Sequence, residues 1–274
     1  MINFLHNFLP QPILFQWGFL TIYWYGLFVV SGIIAGLVVV LRLAKRQGIS
    51  SDEVYNLGFY LVIFSLLGAR FYSVLLDLPY YLQNPGQIIA VWNGGLAIHG
   101  GIIGGAITLF IYSWKKRQSF WLWADLLAVA LPLGQAIGRF GNYFNQEIFG
   151  QPTDLAWGIP IALQNRPLEY LSSQYFHPTF LYESGLNLVN FVVLLSLFFW
   201  INKRNQKSGI RNQGLVILVY LINYSLIRIG MEFLRLDTTP AVFGVRLPIL
   251  VSLAVIGLSL VFLILKIKRK VLAV

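Results

Sequence analysis

The sequence predicts an all-α integral membrane protein. The expected architecture is a bundle of about seven transmembrane helices, with a small outer head formed mainly by the loop at about 139–178. Three observations carry that expectation. First, 57% of the 274 residues are hydrophobic and only 11% are charged, whereas a soluble protein carries about a quarter charged residues. Second, apolar runs of about 20 residues, enough to cross roughly 30 Å of hydrocarbon, recur at 18–42, 55–77, 96–114, 120–138, 179–201, 213–234 and 246–266. Third, lysine and arginine collect in alternate loops between those runs. The runs are too long and too continuously apolar for the alternating strands of a membrane barrel, which leaves helices. No composition shift marks a second domain, so residues 1–274 are expected to form a single transmembrane domain.

Residues 1–16 lack a basic stretch and are broken by Pro10 and Pro12, which reads as interfacial rather than as a targeting segment. The first run opens on Tyr23, Trp24 and Tyr25, an aromatic belt at the membrane boundary. Arg42, Lys45 and Arg46 follow it; Lys115, Lys116 and Arg117 follow the third run. Lys203, Arg204, Lys207 and Arg211 follow the fifth, and the tail holds Lys266, Lys268, Arg269 and Lys270. These fourteen of the 20 basic residues lie on one side of an alternating seven-span chain. The positive-inside rule makes that side cytoplasmic, with the N-terminus outside and the C-terminus inside. The net charge of +10 is therefore topological, and no nucleic-acid partner is expected. With no cysteine in the chain, disulfides, thiolate metal sites and a cysteine nucleophile are excluded.

The other six basic residues, Arg70, Arg139, Arg166, Arg228, Arg235 and Arg246, are all arginine. A guanidinium holds phosphate bidentately where lysine offers a point charge, so an outer face of arginines hints at an anionic, phosphate-bearing ligand. Four stretches concentrate polar groups there. "NGGLAIHGGIIGG" (93–105) combines His99 with glycines. Gly100 and Gly104 have the spacing of close helix packing, while His99 is either structural or a base able to titrate near neutral pH. "GRFGNYFNQEIFG" (138–150) places Arg139, Asn142, Asn145 and Glu147 just after an apolar run. If it is helical, Arg139 and Asn142 share one side; interfacial snorkelling explains one arginine, not the whole group. In "YSLIRIGMEFLRLD" (224–237), Tyr224, Arg228 and Glu232 share a helix face. They form either a mutually satisfied ion pair or a functional site, the default for ionisable groups inside a span. "HPTFLYE" (177–183) sets Glu183 about a turn inside the fifth run, where it needs a partner such as an outer arginine. An outward-facing polar cavity at headgroup depth accommodates these motifs. A membrane transferase acting on lipid phosphate, an anion transporter and a structural or sensory membrane protein all remain compatible with it, although a transporter should show inverted repeats and a midplane site and a structural role leaves the clustered Arg, His and Glu without a purpose.

"HGGIIGG", "GRFGNYFNQEIFG", "HPTFLYE" and "RIGMEFLR", in this order over nearly the whole chain, resemble the bacterial prolipoprotein diacylglyceryl transferase family. Phe180 stands where the family often has glutamine. The resemblance implies an enzyme of the bacterial cytoplasmic membrane that needs no metal or organic cofactor. Its substrates would be the membrane lipid phosphatidylglycerol and the lipobox cysteine of a preprolipoprotein signal peptide. It further implies catalytic roles for Tyr25, His99, Arg139, Glu147 and Arg228, with His99, Glu147 and Glu232 all open as acceptor of the thiol proton. Lipid binding would fall to Arg139, Asn142, Gly150, Tyr224, Arg228, Glu232 and Arg235, with Gly100 and Gly101 beside His99.

Overall fold

The computed structural model describes residues 2–18, 20–208 and 212–271. Arg211, counted above among the cytoplasmic basic residues, lies outside them, as do the side chains of Lys207, Arg269 and Lys270. The chain is mostly helical, and among the described residues six helices are long and apolar enough to cross a membrane. Two compact units divide it: one comprises residues 1–39 and 127–274, the other residues 40–126.

The first unit begins with the short helix α1 (Ile2–Asn7) and an antiparallel hairpin, β1 (Ile13–Trp17) and β2 (Leu20–Tyr23). Gly18, at φ +57°, makes the tight turn that a side chain would strain. Helix α2 (Trp24–Arg46) therefore starts six residues later than the apolar run at 18. Its aromatic face stacks on α6 (Phe120–Phe144), with Trp24 and Phe144 rings 4.5 Å apart and Phe28 and Phe140 rings 5.8 Å apart. Deeper in, Gly32 faces Gly134; a Cβ on Gly32 would stand 3.0 Å from the Gly134 carbonyl. Helix α6 outlasts the apolar run by six residues, so "GRFGNYF" is helical and Arg139 and Asn142 do share a side.

Residues 145–178 have their own small core. Strands β3 (Ile159–Pro160) and β4 (Tyr175–Phe176) pair antiparallel. Phe149, Ile159, Ile161 and Phe176 bury themselves against Tyr143 of α6 and Phe180 of α7 (Thr179–Ser208). Phe180 stacks on Tyr143 at 4.5 Å, an apolar contact in place of the side-chain hydrogen bond a glutamine would make. His6 of α1 closes this core from the N-terminal side, stacked 3.9 Å from Tyr175 and 2.9 Å from the Gly158 carbonyl. Helix α8 (Leu215–Glu232) follows, then the hairpin β5 (Ala241–Val242) and β6 (Val245–Arg246), then α9 (Leu247–Val271).

The second unit is built on α3 (Ser51–Leu76) and α5 (Ile98–Lys115), with the short helix α4 (Leu78–Gln83) and an irregular loop between them. Ser50 and Glu53 form a capping box that satisfies the first free N–H groups of α3. Where α3 and α5 cross, a Cβ on Gly68 would lie 2.5 Å from the Gly100 carbonyl, and one on Gly104 2.5 Å from the Phe64 carbonyl. The packing expected of Gly100 and Gly104 is thus present. Over the expected third run, α5 has 18 residues, about 27 Å at 1.5 Å per residue. It is not among the six, its apolar residues being interrupted by His99 and four glycines and closed by Lys115.

Candidate active site

Three chain segments are laced together at the C-terminal ends of α6 and α8 and the start of α7. The Gly150 N–H donates to the His177 carbonyl (3.0 Å), the His177 N–H to the Gln151 carbonyl (3.0 Å), and the Gln151 N–H to the Leu234 carbonyl (2.9 Å). Gly150 has to be small: a Cβ there would stand 2.8 Å from the His177 Cβ and 3.0 Å from the Leu234 carbonyl. Gln146 and Ile148 take left-handed backbone angles, φ +53° and +58°, which is uncommon for non-glycine residues and strained for a β-branched one. Buried Gln146 compensates by donating to the Pro10 carbonyl (2.7 Å) and accepting the Ala162 N–H (2.6 Å). Between these two residues, the corner turns Glu147 into the open.

The lacing brings four arginines and four carboxylates together. Glu183, 2% exposed, pairs through Oε2 with Arg139 Nε and through Oε1 with Arg235 Nη1 at 3.2 Å. Arg235 Nε in turn meets Asp237 Oδ1 at 2.8 Å. Glu232 pairs with Arg228 Nη1 (2.7 Å) and Arg246 Nε (2.9 Å). Arg139 Nη1 donates to Asn142 Oδ1 (3.2 Å), and Asn142 Nδ2 donates to Glu147 Oε1 (2.7 Å), with Asn145 Nδ2 at 3.4 Å from the same oxygen. Tyr25 packs its ring where Gly141 leaves room, since a Cβ there would be 2.8 Å away. Tyr224, a turn before Arg228, stacks on Tyr220 with rings 5.9 Å apart.

The six arginines singled out by sequence divide by what their donors do. Arg70 places every guanidinium nitrogen on backbone carbonyls. Arg246 commits its three nitrogens to Thr239, Glu232 and the carbonyls of Glu232, Arg235 and Asp237. Arg166 braces its own loop through the Ile161 and Leu171 carbonyls. Arg235 is shut in, with a side chain 5% exposed. Arg139 and Arg228 combine what no other of the six does: each is anchored to a buried glutamate of the cluster, is partly exposed (17% and 18%), and keeps an Nη2 that meets no protein acceptor among the described residues. Opposite charges in the cluster balance, so an anion there would be held by aimed donors rather than by excess charge.

Sequence reasoning reached Arg139, Asn142, Glu147, Gly150, Arg228, Glu232 and Arg235, and the structure gathers all of them with Tyr25 and Tyr224 in one unit. It read Glu183 as needing an outer arginine; Glu183 has two. Gln146, Asp237 and Thr239 were missed: Gln146 matters at a left-handed backbone corner, and Asp237 and Thr239 through side-chain contacts to Arg235, Glu232 and Arg246, none of which spacing announces. His99, Gly100 and Gly101 belong to the other unit. There His99 is exposed at the start of α5, its ring 6.1 Å from that of Tyr72. Among the described residues no group of histidine and carboxylates could hold a metal ion.

Fold and site together define an all-α integral membrane protein with a partly buried arginine–carboxylate cluster in which Arg139 and Arg228 each keep an unengaged Nη2. The profile of the prolipoprotein diacylglyceryl transferase family matches residues 12–265. Proteins named phosphatidylglycerol–prolipoprotein diacylglyceryl transferase are similar across most of the chain. That of Acaryochloris marina is 44% identical over 251 residues, covering 92% of this chain and 89% of its own. That of a Nostoc species is 43% identical over 251 residues (92% and 87%), and that of a Synechocystis species 44% over 234 residues (84% and 80%). The chain belongs to the prolipoprotein diacylglyceryl transferase family.

Proposed function

We propose that this protein transfers the diacylglyceryl group of phosphatidylglycerol to the thiol of the lipobox cysteine in a preprolipoprotein, the first step of lipoprotein maturation. The cysteine sulfur forms a C–S bond to the glycerol carbon of the lipid, the C–O bond to phosphate breaks, and glycerol phosphate departs. The thiol proton leaves as the thiolate, the nucleophilic form, is made. Negative charge moves onto the leaving phosphate, so fixed donors aimed at it lower the barrier most in a water-poor site.

The observation that carries this reading is the pair of unengaged Nη2 groups on Arg139 and Arg228. Each arginine is pinned to a buried glutamate, Arg139 also donating through Nη1 to Asn142, and each keeps Nη2 for a ligand. Asn142, Gly150, Tyr224, Glu232 and Arg235 shape and hold that clamp. Glu147 and Tyr25 stand beside it, and Gly100 and Gly101, packed against α3, seat His99 toward the lipid at the start of α5. His99 takes the thiol proton, with the arginines supplying the larger share of the rate. The protein sits in the bacterial cytoplasmic membrane with seven spans, α5 being the third, its N-terminus outside and its C-terminus inside. Residues 145–178 form the outer head. Purified protein is to be incubated with labelled phosphatidylglycerol and a lipobox peptide, with a Cys→Ser peptide as control. Label should appear on the cysteine peptide only; absence of thiol-dependent transfer would overturn the proposal.

A further inference from the structure

Arg70 is a buried cation with no carboxylate partner among the described residues. It is 7% exposed, and burying an unpaired charge is costly unless other groups replace the water it loses. Backbone carbonyls replace it. Nε donates to the Ile88 carbonyl (2.9 Å), Nη1 to those of Gly94 (2.6 Å) and Gly95 (2.7 Å), and Nη2 to those of Gln87 and Ala90 (3.3 Å). A guanidinium has five N–H groups, and here five carbonyls receive them. All five acceptors come from residues 87–95, the loop that leads into α5. Gly94 and Gly95, at φ +85° and +70°, turn two successive carbonyls onto one nitrogen. A Cβ on Gly95 would lie 2.5 Å from Arg70 Nη1 and 2.9 Å from Tyr81 Oη.

The neighbours of Arg70 on α3 grip the same stretch. The Ala97 N–H donates to the Ala69 carbonyl at 3.1 Å. Gly68 sits against Gly100, and Tyr72 lies against both Gly100 and the His99 ring. One turn of α3, residues 68–72, thus fixes residues 87–100 at four points. Of the side chains this turn holds in place, His99 is the one equipped for proton transfer. Lysine, with three N–H groups on a flexible stem, could not tie five carbonyls from one plane.

We propose that Arg70 is a positioning residue: its carbonyl-saturated guanidinium sets the loop 87–97 and thereby the placement of His99. This inference rests on the reading of His99 as the proton acceptor, and two measurements on the purified full-length protein separate them. The first is the labelling rate of the three histidines by diethylpyrocarbonate, read by mass spectrometry in wild type and Arg70→Gln. The His99 rate should shift while His6 and His177 keep theirs; an unchanged His99 rate would overturn the proposal. This arm needs no activity, so it decides the matter even if the protein transfers no lipid.

The second is a double-mutant cycle of Arg70→Gln with His99→Ala in the transfer assay. Since a misplacement of about 1 Å can cost about 100-fold, Arg70→Gln should lower kcat by about tenfold or more with the KM for phosphatidylglycerol nearly unchanged. In the His99→Ala background it should cost nothing further, and Arg70→Lys should restore little. An equal loss in both backgrounds would contradict action through His99. If Arg70→Gln does not fold, Gly95→Ala, which crowds Nη1 while keeping the charge, reads out the same two quantities.

Discussion

Glu183 shows how much one side chain can hold together. Its two oxygens serve Arg139 on one side and Arg235 on the other, in a site where it is 2% exposed. Removing one member of a buried ion cluster leaves the others uncompensated, which costs about 3 kcal/mol or more. Glu183→Gln keeps the shape and removes the charge. It should lower the thermal unfolding midpoint clearly, and a midpoint equal to wild type would show that the pairs contribute little. The sequence made this residue legible only in part. A carboxylate a turn inside an apolar run must find a cation, so the need for an arginine could be read, but which two arginines answer depends on how segment 149–151 is laced to 177 and 234. Arg139 and Arg228 could be picked out as candidates, yet not told apart from Arg70 or Arg246. That distinction is a matter of which donors are already spent, and it exists only in three dimensions.

Among the elements, α3 and α5 are held by absent side chains. Gly68, Gly100 and Gly104 let two backbones touch, which is a main source of helix association where lipid offers no hydrophobic contrast. Gly104→Val would press two methyl groups toward the Phe64 carbonyl, 2.5 Å from the new Cβ. Overpacking of this kind costs about 1–3 kcal/mol; unfolding in detergent should come correspondingly earlier, and an unshifted transition would mean the helices can part freely. The small-residue spacing of Gly100 and Gly104 announced this contact, though its partner Gly68 was not read. The boundaries of the elements were less legible. Hydropathy measures what lipid tolerates rather than where hydrogen bonding stops, so α6 runs on through Arg139 to Phe144 while the first run loses Leu20–Tyr23 to strand β2. The pattern of residues 145–178 was too mixed to show its core, because two-residue strands and scattered aromatics leave no period to detect.

For the whole molecule, composition and loop charge led directly to an all-α membrane protein, since lipid allows few alternatives for the backbone. What the fold adds is selection: of six arginines set apart by topology, two are anchored in the cluster, partly exposed and left with an unspent Nη2. The central claim is that these two forks hold the phosphate of the lipid as it becomes the leaving group. The most direct test is the turnover of a folded Arg139→Lys/Arg228→Lys variant in the phosphatidylglycerol transfer assay, with the unfolding midpoint measured alongside. Both charges survive in that variant and both forks are lost. Loss of one aimed donor to a developing oxyanion costs about 100-fold in kcat, so turnover should fall at least that far while the protein stays folded. Near wild-type turnover in the folded variant would contradict the account.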